Sequence, residues 1–493
     1  MVGSPVLFVA IPLMAAFLIP LMGMIWKEFV RIIPGLVLAY MLVLSVSLMI
    51  HVQHHGTIVE VISGWGPPVG INLVFSPFSG LLTTLMTFLG LLVWLYSHKY
   101  KRNVDYEPAK KYFILLMLLV TGSVGIVLTG DLFNMFVFIE IVSISGYGLT
   151  SFFVRRDSAE AAFKFLLMGA LASSFLLIGI MIIYTQLGTL NIAEIAQRMP
   201  QMDYQMKVFS LIFLLVAIGV EAEIFPLNGW APDVYTQAPG PISAAMSGIV
   251  VKAAIYANIR IIYTMYDLQG AYKYLLIMGL ITFIAAETAA LRQERLKRML
   301  AYSSIGQMGL AMIAFGIGTK EGVYAALFLM FSHAIIKTLL FFSGSYLVYN
   351  KTSKYIKHAN GMGKYLPVTA FLFTLGAFAI IGLPPFMGFW SKLALLTAAA
   401  DHQLVILVAV ILAVSVVEAV YYLRVVNRIF FFKKKSNTKP EKPTINAMIA
   451  MVSLAIIVLV IGIYPDLVTG LIERAADDLM DKGHYIGEIL TKN

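Results

Sequence analysis

Residues 382–392 read Gly382-Leu383-Pro384-Pro385-Phe386-Met387-Gly388-Phe389-Trp390-Ser391-Lys392. The stretch cuts an apolar run that begins near residue 367, and a lysine follows the cut. Proline removes a backbone donor and clashes with the preceding turn, so the run cannot continue as one helix. A second run, near 208–226, is cut at Phe225-Pro226-Leu227, followed by Trp230-Ala231-Pro232-Asp233 and Pro239-Gly240-Pro241. At membrane depth, opened backbone survives only where it is buried in protein or lines a wet cavity. Matching interruptions in two halves of a chain point to a transporter built from inverted repeats.

The cut runs belong to a series. Apolar runs lie near 5–26, 31–50, 73–96, 112–130, 131–153, 163–185, 208–226, 241–264, 271–290, 301–318, 321–349, 367–385, 404–432 and 445–464. Their length of about 20 residues is that of membrane-spanning helices, twice that of a barrel strand. Of the 493 residues 60% are hydrophobic and 13% charged, and the mean hydropathy is +0.86. Soluble and disordered chains are excluded by that balance. The expected fold is an all-α polytopic membrane protein of about 14 transmembrane helices. The two cuts fall in the fourth helix of two five-helix blocks, spans 4–8 and 9–13. An odd number of crossings inverts the second block relative to the first, and helices 7 and 12 are the broken ones. The organisation read from this is 1–111 as an N-terminal three-helix segment, 112–264 and 271–432 as the two repeats, and 445–493 as a last span with a polar tail. In that tail Leu467, Leu471, Ala475 and Leu479 share a helical face, read as a surface helix or as a docking element for a neighbouring subunit.

Charge fixes the expected orientation. Loops near 27–31, 99–111, 155–156, 292–298, 351–364 and 428–442 hold 23 Lys and Arg, and those near 198–207, 273 and 320 hold 4. Cytoplasmic loops carry the excess, which places both termini outside. The net charge of +10 is therefore a property of membrane-flanking loops and not a nucleic-acid footprint. The chain has no Cys, so disulfides, thiol catalysis, iron–sulfur clusters and Cys-based zinc sites are excluded. No Gly-Lys-Ser/Thr phosphate loop and no Rossmann glycine pattern occurs. His51, His54 and His55 sit in a polar loop without a carboxylate cluster. No cofactor, metal or catalytic site of its own is read.

Ionisable residues at membrane depth are expensive and face a protein or water interior. Glu140 lies mid-span in helix 5, and Glu221 and Glu223 precede the cut in helix 7. Lys252 lies mid-span in helix 8, His333 and Lys337 in helix 11, Lys392 after the cut in helix 12, and Glu418 mid-span in helix 13. Lys164 and Glu287 are nearer span ends, Asp131 is at a boundary, and Arg260 lies toward the end of helix 8. Acid and base alternate along the chain, and the mid-span bases are Lys and His. Lysine gives up its proton when buried, whereas arginine does not. A proton path fits this choice better than fixed ion pairs. Each position also has a structural reading. Glu140 can bond Ser143 or a neighbouring helix, His333 can be a core histidine, Tyr421 and Tyr422 can satisfy Glu418, and Asp233 can cap the resumed helix 7. Glu221 and Glu223 are about 200° apart on a helix, so one faces the path, Glu221, and the other is structural.

Taken together, these stretches resemble the antiporter-like membrane subunits shared by Mrp-type cation/proton antiporters, respiratory complex I and membrane-bound hydrogenases. The resemblance rests on Gly130-Asp131-Leu132-Phe133-Asn134 through Glu140, Phe225-Pro226-Leu227 through Pro232-Asp233 and Ala238–Pro241. It continues through Lys297–Gly309, Ser332-His333-Ala334 with Lys337, and Gly382–Lys392. Length and the tail around Asp477-Asp478-Leu479 and Tyr485-Ile486 look closest to the D-type (MrpD) member of the Mrp set. The resemblance implies that Glu140 is the helix-5 glutamate, Lys252 the central helix-8 lysine, His333 the helix-11 histidine and Lys392 the helix-12 lysine near the far exit. One departure stands out: Glu221 occupies the place of the usual helix-7 lysine, which leaves Glu140 and Glu221 to share a proton or a sodium ion near Lys252. Glu418 stands where many members carry a lysine or an uncharged residue. These departures point to a branch attached to membrane-bound hydrogenases and related redox complexes.

The expected function is proton translocation, with sodium coupling as an option, along Glu140, Glu221, Lys252, His333, Lys337, Lys392 and Glu418. Glu223 and Asp233 are secondary candidates, and Pro226, Pro384 and Pro385 are the breaks. The setting is the plasma membrane of a prokaryote. The partners implied are further Mrp-like membrane subunits, hydrogenase or other redox subunits, and the lipid bilayer, with no nucleic acid. The alternatives are a component of a stand-alone Mrp-type antiporter, a secondary transporter working alone, and a scaffold without its own ion path.

Overall fold

Helix starts are written locally in the sequence. Ser76 caps the third span by accepting from the Ser79 amide, and Pro77 takes the first helical position, where no donor is required. Asp131 caps the fifth span through the Asn134 amide at 2.7 Å. Thr319 caps the eleventh through Gly322, and Thr444 the fourteenth through Ala447. The computed structural model describes residues 3–66, 70–98, 106–266, 268–348, 354–433 and 440–491. Of the loop cations used to read orientation, Lys99, Lys101, Arg102, Lys351, Lys434, Lys435 and Lys439 lie outside the described residues.

Among the described residues thirteen helices are long and apolar enough to cross a membrane. In order, the first six spans are Leu7–Ile25, Phe29–His55, Pro77–Ser97, Tyr106–Leu128, Leu132–Thr150 and Arg156–Leu187. The seventh begins with Tyr204–Glu221 and resumes as the short helix Ala231–Gln237. Spans eight to eleven are Gly240–Tyr266, Gln269–Leu291, Leu296–Gly316 and Lys320–Leu347. The twelfth crossing is split into Pro367–Ile381 and Met387–Asp401. Val405–Phe431 and Ile445–Ile463 complete the set. The all-α polytopic fold with two inverted five-helix repeats holds, and so do both breaks. A local difference occurs at the third span: Ile58–Val61 and Asn72–Phe75 pair as an antiparallel hairpin. Their β-branched and apolar residues suit a ladder, and Ser76-Pro77 starts the helix only after it.

Burial sorts the spans. Spans eight, ten and eleven are buried almost all round, whereas only about a third of the residues in the first, sixth and thirteenth are buried. The outward faces are apolar, as lipid requires. The buried spans carry Lys252, Ser304, His333 and Lys337, and the thirteenth turns Glu418 inward on its buried face.

The tail folds as Asp466–Met480 and Lys482–Thr491. Its buried face is Val468, Ile472, Ala475, Ala476 and Leu479, and Leu467 is exposed. The expected face is rotated because Asp478 is drawn inward, where its Oδ2 accepts from the Ser76 hydroxyl at 2.6 Å and the Phe78 amide at 3.2 Å. The apolar face of the tail is thus covered by its own chain, not left for a neighbour.

Candidate functional site

Lys252 lies at the centre of the eighth span and is fully buried. Two π-helical segments, Met246–Val250 and Ile261–Tyr266, flank its α-helical turns, a widening often found at functional positions. Lys252 Nζ donates to the Ser247 carbonyl at 2.6 Å and meets His333 Nδ1 at 2.5 Å. His333 Nε2 lies 3.3 Å from the Ser304 hydroxyl, which is 2.7 Å from that of Ser247. Spans eight, ten and eleven therefore enclose a polar ring of Lys252, Ser247, Ser304 and His333. One turn along the eleventh span, Lys337 Nζ donates to the Tyr422 hydroxyl at 2.9 Å and the Leu300 carbonyl at 3.3 Å.

The break in the twelfth span positions Lys392. Gly382 ends the first half at φ +92°, a conformation that excludes most side chains. The Ile381 carbonyl, orphaned by the break, accepts from Lys392 Nζ at 3.0 Å. Lys392 also forms an ion pair with Glu418, and Gln307 Nε2 donates to the same carboxylate at 2.8 Å. Tyr421 and Tyr422 do not satisfy Glu418. Tyr421 donates to Glu287 at 2.7 Å, and Tyr422 engages Lys337 and Ser303. Glu287, placed near a span end by the sequence, is fully buried in this cluster. Its signal was visible as a lone acid in the run Ile284-Ala285-Ala286-Glu287-Thr288-Ala289-Ala290.

In the first repeat each carboxylate takes its own serine. Half-buried Glu140 accepts from Ser173, and buried Glu221 accepts from Ser143 at 3.2 Å. Ser143 is thus the partner of Glu221 and not of Glu140. A cavity of about 10 Å³, room for about one water, adjoins Glu221 beside Ile139, Val142 and Val250. Glu221 and Glu223 are not set on opposite faces of one helix, because the helix ends at Glu221 and Glu223 has φ +60°. Both are buried. Trp230 Nε1 donates to the Val220 carbonyl across this break at 3.1 Å and its indole stacks on Phe165. Pro226 lies inside it, as Pro384 and Pro385 lie inside the other.

Asp233 is not the cap of the resumed helix. It lies in the first turn, favourable for an acid, and pairs with Arg298 at 2.7 Å and Lys164 at 3.0 Å. Arg260 lies toward the end of the eighth span, as expected. It is fully buried, boxed by the rings of Phe78, Tyr256 and Tyr485. Among the described residues no group of three or more His, Asp or Glu is placed to hold a metal ion.

Half-buried Glu140 and the buried groups that follow it interact in sequence. Glu140 interacts electrostatically with Glu221, Glu221 with Glu223, and Glu223 with Lys252. Lys252 interacts with Lys337, and Lys337 with Glu287, Glu418 and Lys392. A change of charge at one member is therefore felt by its neighbours.

The family model described as NADH:quinone oxidoreductase/Mrp antiporter, TM, matches residues 129–417. The match spans the series from Glu140 through Lys392 and stops one residue short of Glu418. The chain is 33% identical, over 86% of its length and 86% of the relative, to the N-type component of the NADH-quinone oxidoreductase of Desulforudis audaxviator. It is 28% identical to the D-type component of the Na(+)/H(+) antiporter of Alkalihalophilus pseudofirmus, over 93% of this chain and 94% of that one. Among solved structures, it aligns with a chain of the membrane-bound sulfane sulfur reductase, an archaeal respiratory membrane complex, at 37% identity. The TM-score is 0.92, with 99% of this chain and 100% of that chain covered.

Proposed function

Because this chain belongs to the NADH:quinone oxidoreductase/Mrp antiporter family of membrane subunits, we propose that it translocates protons as one module of a larger membrane complex powered by neighbouring redox subunits. The observation that carries this reading is the series of interacting acids and bases that runs from half-buried Glu140 through buried Glu221, Glu223, Lys252 and Lys337 to Lys392 and Glu418. A fixed scaffold would pair such charges off, since an unpaired buried charge is strongly destabilising. Here Lys252 and Lys337 are held by carbonyl, imidazole and phenol groups instead. The redox setting is supported by the full-length likeness to a chain of a respiratory membrane complex. The breaks beside Glu223 and Lys392 provide the two places where backbone opens toward the series.

In this reading the module sits in a prokaryotic plasma membrane with both termini outside, packed beside other antiporter-like subunits. A stand-alone Mrp-type antiporter is the second reading, favoured by the match to a D-type antiporter component along almost the whole chain. Native electrophoresis and mass spectrometry of the complex drawn from its own membrane decide between them. Redox subunits co-migrating with this chain support the first reading. Small membrane subunits alone support the second. Isolation of the chain by itself, moving ions when reconstituted, would overturn both.

A further inference from the structure

Glu223 is fully buried, and neither of its carboxylate oxygens has a hydrogen-bond donor among the described residues. It also holds a left-handed backbone, φ +60°, which a non-glycine residue adopts at a cost and which concentrates at functional positions. The groups that face it are Tyr235, Glu221 and Lys252. Tyr235 is buried as well. Its ring is fixed by stacking on Phe341 at 5.6 Å. Its hydroxyl interacts with Glu223, Ser247 and Ser304 without a hydrogen bond of normal length and angle to any of them. Those two serines belong to the ring that holds Lys252 and His333. Lys252 itself touches a carbonyl and an imidazole nitrogen, and the acid it interacts with is Glu223. An acid without a donor and an ammonium without a carboxylate thus stand on either side of one tyrosine. Each is costly alone, and each cancels part of the other's cost.

We propose that Glu223 is the counter-charge of Lys252 and that Tyr235 is the hydroxyl relay between them. The inference rests on the reading of Lys252 as a proton-carrying group. In the forward step the Glu223 carboxylic acid gives its proton to the Tyr235 oxygen while the Tyr235 hydroxyl proton passes to Ser304. Ser304 passes its own proton to His333 Nε2, and His333 releases the proton on Nδ1 to the neutral amine of Lys252. Each O–H and N–H bond broken is remade at the next atom. Glu223 ends as a carboxylate, Lys252 ends as an ammonium, and no electrons move. Glu223 thereby takes over, from the break of the seventh span, the acid partnership that Glu221 and Glu140 do not provide to a lysine.

The test uses the intact complex from its own membrane, carrying Glu223→Gln, Lys252→Met, the double variant, Glu223→Asp or Tyr235→Phe. Two quantities are measured: the thermal midpoint of the complex, and proton uptake into inverted vesicles driven by the electron donor or by an imposed sodium gradient. The two single neutralising changes each lower the midpoint, and the double variant lowers it by much less than their sum, because neither buried charge is then left alone. Glu223→Asp, which keeps the charge, holds the midpoint above that of Glu223→Gln. Additive losses, or equal losses for Asp and Gln, would overturn the counter-charge. Tyr235→Phe assembles in normal amount and loses at least about tenfold in uptake rate, the scale of a missing proton-transfer group. Uptake at the original rate overturns the relay. If Lys252→Met itself pumps normally, the proton path fails as a whole, and the midpoints still decide the pairing of Glu223 with Lys252.

Discussion

Lys392 and Glu418 are joined as a buried ion pair across the twelfth and thirteenth spans, and each has a further partner that fixes its direction. The Ile381 carbonyl holds the ammonium and Gln307 holds the carboxylate. Removing one member of such a pair leaves an uncompensated charge and costs about 3–5 kcal/mol, whereas replacing both with apolar residues is often neutral. Glu418→Ala is expected to lower the thermal midpoint of the complex steeply. Lys392→Met together with Glu418→Met is expected to recover most of the loss while abolishing proton uptake. A double variant less stable than Glu418→Ala would show that the pair is not the unit of stability here.

Lys252→Ala tests the path at its centre. The side chain ends at the Ser247 carbonyl and His333, so its removal takes out a proton carrier without breaking a helix, and leaving Glu223 without its counter-charge lowers the midpoint of a complex that still assembles. The expected result is a loss of proton uptake of about 10²-fold or more, with the complex present in normal amount on a native gel. Disappearance of the complex from the membrane would instead assign Lys252 to assembly.

Much of this was legible in the sequence because a bilayer leaves few options. Apolar runs of span length, two proline cuts and a short list of mid-span charges are one-dimensional signals. Lys252, His333, Lys337, Lys392 and Glu418 were readable for that reason, and the structure brings them into one series. What was not legible depended on packing between distant segments. Glu287 looked peripheral, yet Gly306 on the tenth span makes room for it: an added Cβ there would lie 2.2 Å from its carboxylate. Tyr235 carries no charge and so gave no signal in an aromatic-rich chain. Glu223 was set aside by a helical-wheel argument that assumed a helix where the backbone had already turned. The face of the tail was misjudged by one residue because the wheel could not show that Asp478 caps the third span.

A pH effect is expected from Lys354, in the loop before the twelfth span. It donates to the Thr236 carbonyl at 3.0 Å and to Gln237 Oε1 at 2.7 Å, closing the carbonyl end of the short helix Ala231–Gln237. Lys297 does the same at Ala238. Burial, with Arg155 and Arg295 nearby and Asp157 opposing them, brings the Lys354 amine down from 10.5 to about 8. A lysine lowered in the folded state binds fewer protons there than in the unfolded chain, so it penalises folding fully below about pH 8. The penalty fades as pH rises toward 10.5. The thermal midpoint of the wild-type complex should therefore gain on that of Lys354→Met between about pH 8 and 10.5. Parallel curves across that window would show that Lys354 carries no such linkage.

The tail should depend on one aromatic contact. Arg260 is buried with its guanidinium 4.4 Å from the Tyr485 ring centroid, and the Tyr256 hydroxyl accepts from it at 3.2 Å. A desolvated cation over an aromatic face is worth about 2 kcal/mol, and truncating a buried ring to alanine costs about 3–5 kcal/mol in all. Tyr485→Ala should free Asp466–Met480 and Lys482–Thr491 to protease in the folded complex, whereas Tyr485→Phe should keep them protected because it preserves the ring. Asp478→Ala should act in the same direction and more weakly, through loss of the cap on Ser76 and Phe78. The readout is the cleavage rate at the tail under limited proteolysis, compared with a site in a membrane-flanking loop. Equal tail cleavage in Tyr485→Ala and Tyr485→Phe would place the anchoring in the apolar face of Val468, Ile472 and Leu479 instead.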